Sequence, residues 1–125
     1  MTDLPEIVNQ AWEEREGPVV LITVDPAGTP NAIYATCVSK FSADTLLIAD
    51  NYFHKTRANI LAGSYGGLLF ITPAGKSYQI KGRLEYFTEG PLFDDMKRWN
   101  PTRLPGHAVA ALRVEQVFAG AEQLA

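Results

Sequence analysis

The sequence predicts a mainly β (α+β) domain: a six-stranded antiparallel barrel with short flanking helices. Three observations lead there. Six stretches have strand character, and most are joined by tight turns rather than crossovers. One of them, around Tyr78 to Tyr86, alternates apolar and polar residues in the period of a strand with one wet face. Helical periodicity is confined to three short segments. A sandwich could use the same runs, but a barrel closed on itself leaves no open edge.

Residues 3–16 predict an amphipathic helix, with Leu4, Ile7, Val8, Ala11 and Trp12 on one face. Asp3 and Glu6 have capping-box spacing, Pro5 suits the first turn, and Gly17-Pro18 ends the helix. Val19 to Val24 is an unbroken apolar run, which predicts a strand buried on both faces. Asp25-Pro26-Ala27-Gly28 is a turn, because proline presets φ and glycine supplies a positive φ. A second strand from Asn31 to Val38 completes a hairpin. Phe41-Ser42-Ala43-Asp44 predicts the next turn and Thr45 to Ala49 the third strand. A polar loop then leads into a short helix through Ala58, Ile60, Leu61 and Ala62, stopped by Gly63. Ser64 to Gly67 reads as a connector, Leu68 to Thr72 as the fourth strand, and Pro73-Ala74-Gly75 as a turn. In the fifth strand Gly82 interrupts the apolar face, which signals a bulge or a close backbone approach. Thr88-Glu89-Gly90-Pro91 opens a helix with Leu92, Phe93, Met96 and Trp99 on one side. A loop over 101–107 precedes the sixth strand, Ala108 to Phe118.

At 125 residues the chain reads as a single domain, 1–125, with room for a real core. A net charge of −3 argues against a general nucleic-acid binder, which carries a basic excess. Cys37 is the only cysteine, so no disulfide framework or cysteine-rich metal site is expected, and the cytoplasm is the expected compartment. No apolar run has membrane-spanning length, so no membrane partner is expected. His54 and His107 lie far apart, so no metal is expected. No catalytic residue is assigned: Cys37 reads as a small buried thiol, and Asp94-Asp95 as a solvated helix face. Neither standard nucleotide cradle is present.

The stretch from Asp50 to Leu61 carries the one candidate site. It runs from a strand through a polar loop to a helix start bearing His54, Lys55 and Thr56. Unbonded N–H groups at a helix start, a lysine charge and a threonine hydroxyl suit a phosphate monoester. The same residues also describe an ordinary capped surface helix, and alone they do not decide. Asn51, Tyr52, Phe53 and the strand Ile33-Tyr34-Ala35-Thr36-Cys37 add polar and aromatic residues, and Gln79 and Lys81 lie on the wet strand. A flat aromatic ligand with a phosphate tail fits that set, flavin mononucleotide (FMN) and pyridoxal phosphate being two examples. Plain core packing accounts for the same aromatics.

Asn51-Tyr52-x-His54-Lys55-Thr56 resembles the flavin-phosphate segment of the pyridoxamine 5′-phosphate oxidases, N-Y-x-S-R-K. The chain is more similar to the small bacterial FMN-binding proteins. These share H-K-T-x-x-N, here His54 to Asn59, and a glycine-arginine strand followed by threonine, an acid and Gly-Pro, here Ile80 to Leu84 and Thr88 to Pro91. The resemblance spans nearly the whole chain. It implies a split β-barrel that binds FMN non-covalently at the interface of a homodimer.

On that resemblance Lys55 and Thr56 hold the phosphate, helped by His54 and Asn59. Ile33, Tyr34, Ala35, Thr36 and Cys37 lie along the ring and ribityl chain, with Asp50 and Asn51 at its border. Gln79 approaches from the other subunit, and Trp99 shields the ring. Alternation puts Tyr34, Thr36 and Val38 on one face and Ile33, Ala35 and Cys37 on the other, so backbone groups near Ala35 to Cys37 are the expected ring contacts. Two departures matter. The ring-facing tryptophan of the small proteins is absent from 33–37, and the oxidases' C-terminal arginine–histidine pair is absent too, Arg113 being the nearest candidate.

The expected function is redox or electron transfer by an FMN-binding flavoprotein with an unknown redox partner or small-molecule substrate. Whether it is an FMN-dependent oxidoreductase stays open. The alternatives are a flavin-dependent reductase of small nitro or quinone compounds, a non-enzymatic binder of haem or a deazaflavin, and a plain barrel interaction module.

Overall fold

The structure is a computed structural model and describes residues 2–125. Helix α1 (Glu6–Glu14) is followed by strands β1 (Val19–Val24), β2 (Pro30–Ala35), β3 (Val38–Ser42) and β4 (Thr45–Asp50). Helix α2 (Lys55–Leu61), strands β5 (Tyr65–Ile71) and β6 (Ser77–Phe87), helix α3 (Pro91–Trp99), β7 (Ala108–Ala119) and the two-residue β8 (Glu122–Gln123) complete the chain. All strands join one antiparallel sheet in the order β2-β1-β5-β6-β7-β4-β3, with β8 beside β7. The sheet curls into a split barrel around Leu21, Leu46, Ile48, Leu68, Ile80 and Leu112, all fully buried.

The expected barrel is therefore present, with eight strands in place of six. The predicted second strand divides at Thr36-Cys37. Its first half pairs with β1 and its second half with β4, so one stretch of chain forms both edges of the sheet. This corrects the predicted faces. Ile33, Ala35 and Val38 pack on the barrel core, whereas Cys37 packs on the outer cluster with Leu47 and Ala49. The switch of partner at 36–37 shifts the side-chain alternation by one residue. Two boundaries and one burial pattern also differ. Strand β3 runs through Ser42, so the turn is only Ala43-Asp44. The glycine connector before the fourth strand is strand, because β5 begins at Tyr65. Strand β1 is alternately buried and half-buried, its outer face being bare.

The helices close the barrel. Helix α1 buries Val8, Ala11 and Trp12, and Trp12 meets Phe70 edge-on at 5.3 Å. No side chain caps it, and Pro5 is the N-cap. Proline holds the preceding residue extended, so the helix starts too late for the Asp3–Glu6 capping box to form. Helix α2 buries Thr56, Asn59 and Ile60. Helix α3 lays Leu92 and Met96 over Leu47, Ala49, Val109 and Ala111, outside the sheet. Between β6 and β7 the register shifts at Lys81/Gly82, where Glu115 is the extra residue. A Cβ on Gly82 would lie 1.8 Å from the Arg113 carbonyl oxygen, so the glycine is there for close approach. Among the described residues no helix is long and apolar enough to cross a membrane, and no cluster of three or more His, Cys, Asp or Glu is placed to hold a metal.

Candidate functional site

The site forms where the sheet is split. The N–H of Val24 goes to Ser64 Oγ at 2.9 Å, on the β5 side of β1. Successive residues of an antiparallel strand bond to opposite sides. Thr23, Leu21 and Val19 therefore bond β2, through Asn31, Ile33 and Ala35. The N–H and C=O groups of Ala32 and Tyr34 point the other way, over the split. The chain leaving β2 meets β4 at the far end of this gap, where the Ala49 N–H bonds the Cys37 carbonyl at 2.9 Å.

Beyond that bond the two diverge around a hollow of about 510 Å³. Ile33 to Cys37 form one wall, Ala49 and Asn51 to Phe53 a second, and Arg103-Leu104 a third. Tyr34 is 78% exposed and Tyr52 75%, so two aromatic rings stand free beside it. A second hollow of about 400 Å³ shares Thr36, Cys37, Arg103 and Leu104, and adds Trp99 and Pro101.

Two networks hold these walls. The Asp50 side chain is fully buried at the end of β4. It accepts Arg57 Nε at 2.7 Å and Nη2 at 3.0 Å, the Phe53 N–H at 2.9 Å, and the Tyr86 hydroxyl. Burial pushes its carboxyl up, but the bonds from Arg57, Tyr86 and Phe53 outweigh burial, so it lies below the ordinary value. Burial and the bond to Asp50 raise the Tyr86 hydroxyl. Arg57 is raised by its bonds to Asp50 and Tyr86. The second network holds the loop 101–107. Asn51 and Asn100 exchange amide bonds at 2.9 and 3.0 Å, and Asn51 Oδ1 also takes the Gly106 N–H at 2.9 Å. Lys97 Nζ donates to the carbonyls of Pro105 and Gly106.

The predicted site residues fall into three groups. Ile33, Tyr34, Ala35, Thr36, Cys37 and Asn51 come together around the first hollow. His54 and Lys55 are exposed at the start of α2, which has no side-chain cap, so its first N–H groups stay free. Thr56 and Asn59 are buried beneath them: Thr56 Oγ1 accepts Asn31 Nδ2 at 3.1 Å, and Asn59 Nδ2 donates to Thr23 Oγ1 at 3.0 Å. The third group stands apart. Asp50 is committed inward, Gln79 lies on the outer face beside Ile22 and Tyr65, and Trp99 lines the second hollow, its Nε1 bonded to Asp95. Cys37 is half-buried between the hollows, more open than the predicted buried thiol. Reasoning from sequence missed Arg103, Leu104 and the Arg57–Tyr86 anchor of Asp50. Only the two prolines bracketing Arg103 hinted at a rigid loop.

Residues 6–119 match the family model described as pyridoxamine 5′-phosphate oxidase. The chain belongs to that family. It is 34% identical over 74 residues to an uncharacterized protein of Methanocaldococcus jannaschii, a match covering 58% of this chain. That match spans only half of the curated relative (50%). The barrel superposes on HupZ from Group A Streptococcus with a TM-score of 0.82, at 23% identity over 93% of each chain. It superposes on an FMN-binding protein from Syntrophomonas wolfei with a TM-score of 0.70, at 18% identity over 96% of each chain. At these identities the structural likeness is one of fold.

Proposed function

We propose that the protein is an FMN-binding flavoprotein of redox or electron-transfer chemistry, its cofactor held non-covalently at a homodimer interface. The observation that carries this reading is the hollow along the split edge. Its strand wall offers unpaired backbone donors and acceptors, its volume of about 510 Å³ suits a cofactor, and no carboxylate lines it. The family and the FMN-binding structural neighbour support the same cofactor.

FMN would supply the electron chemistry; this chain would bind and orient it. Lys55, with His54 and the free N–H groups of the first α2 turn, would meet the phosphate. Thr56, already accepting from Asn31, keeps its own hydroxyl proton to donate, and Asn59 steadies the helix from beneath. Backbone groups of Tyr34 and Thr36 would meet the polar edge of the ring, and Asn51 fixes the facing loop. A second copy would cover the open side. The outer face of β1, β2 and β5 exposes Tyr34, Tyr65, Leu69 and Ile71, and Gln79 lies there to reach the partner's flavin.

The test is acid release of a yellow chromophore, followed by titration of cofactor-free protein with FMN and riboflavin. Riboflavin lacks the phosphate and should bind the native protein more weakly by about 1.5–3 kcal/mol, the worth of a charge-assisted hydrogen bond. Lys55→Ala should remove most of that difference. Equal binding of the two flavins by native protein refutes the clamp.

A further inference from the structure

The second hollow is unassigned by the cofactor reading and adjoins the first through Thr36, Cys37, Arg103 and Leu104. Its added lining is Val38, Ser39, Trp99 and Pro101, an aromatic face among small and apolar groups. Arg103 is the only charged residue lining either hollow. It is exposed, and among the described residues it enters no ion pair and no side-chain hydrogen bond. The loop that carries it is nonetheless fixed: Asn51 and Lys97 bind its far end, Leu104 N–H bonds Pro101 O at 3.0 Å, and His107 N–H bonds Asp50 O at 2.9 Å. A guanidinium on a fixed loop, lining a slot that holds one aromatic residue and no acid, is arranged to grip a planar oxyanion.

We propose that the second hollow binds the flavin's reaction partner, a flat aromatic molecule bearing one carboxylate, and that Arg103 selects for that carboxylate. The inference rests on the flavin occupying the first hollow. Trp99 then supplies the stacking face and Arg103 the charge, and the shared wall at Thr36-Cys37 brings the two ligands side by side.

The probes are 2-naphthoate and 2-naphthamide, equal in shape and different in charge, titrated into the FMN-loaded protein and followed by the flavin absorbance. Native protein should prefer naphthoate by about tenfold or more, the scale of a charge-assisted bond. Arg103→Ala should abolish the preference and leave naphthamide binding unchanged, and Arg103→Lys should restore part of it. Equal binding of the two probes by native protein overturns the inference. So does an Arg103→Ala protein that loses FMN affinity while keeping the naphthoate preference, because the arginine then serves the cofactor. Native protein that takes up no FMN sinks the proposed function instead. The probes are then compared by calorimetry on the cofactor-free chain, where equal affinities overturn the inference as well.

Discussion

Asp50→Asn is the sharpest test of how the site is held. The substitution keeps the shape of the side chain and removes its charge. Whichever way the amide turns, its NH2 must face an N–H of Arg57, setting donor against donor. Breaking a buried pair by neutralising one partner costs about 3–5 kcal/mol. Asp50 is fully buried, but the Arg57 side chain is 34% exposed and can turn to water, so the lower end applies, about 3 kcal/mol. For a chain of this size that is a fall of roughly 10 °C in melting temperature. The pH dependence adds a second arm. The folded carboxyl lies below its ordinary value. Its stabilisation is therefore complete above the unfolded value, about pH 4, and fades as pH falls through the folded one. Thermal melts followed by circular dichroism at pH 7 and pH 3 should show a wide gap between native and variant that narrows in acid. A gap under about 1 kcal/mol at pH 7, or one unchanged at pH 3, would refute the assignment of the charge as the stabilising element.

Light scattering at micromolar concentration should return twice the chain mass, and Leu69→Lys on the bare outer face should return the single mass; a native monomer that binds FMN tightly removes Gln79 from the site. Cys37→Ser should keep bound FMN with a modest stability loss, and a folded, flavin-loaded variant without any flavin turnover would instead make the thiol catalytic. Gly82→Ala should lose about 3 kcal/mol in urea unfolding, because its methyl would meet the Arg113 carbonyl; a native-like midpoint would mean that the bulge can open at no cost.

The parts of the fold legible in sequence are those with local causes. The alternation from Tyr78 to Tyr86 gave a strand because one face is wet, and Gly82 marked the bulge. Gly66-Gly67 misled, since Gly66 serves packing and not a turn: a Cβ there would come within 2.5 Å of Leu84. The division at Thr36-Cys37 left no local signal, having neither glycine nor proline; it is caused by two different neighbouring strands. The site followed the same rule. Segments 33–37 and 51–56 were recognisable by resemblance. Asp50 finds Tyr86, 36 positions away, only through the curl of the sheet, and Arg103 reaches the hollow only because Asn51 holds its loop.

The shared edge strand also bears on how the chain comes apart. β5, β6 and β7 follow one another as neighbours, whereas the β1–β2 and β3–β4 hairpins dock on opposite flanks of that meander. Two residues separate β2 from β3, so Ala35 and Val38 lie at most about 11 Å apart. Once either hairpin has docked, the other is tethered within a few ångströms of its berth, and most of its loop-closure entropy is already spent. Detaching one hairpin likewise strains the other. The two flanks of the barrel are therefore coupled into one cooperative unit, with a single unfolding transition rather than two.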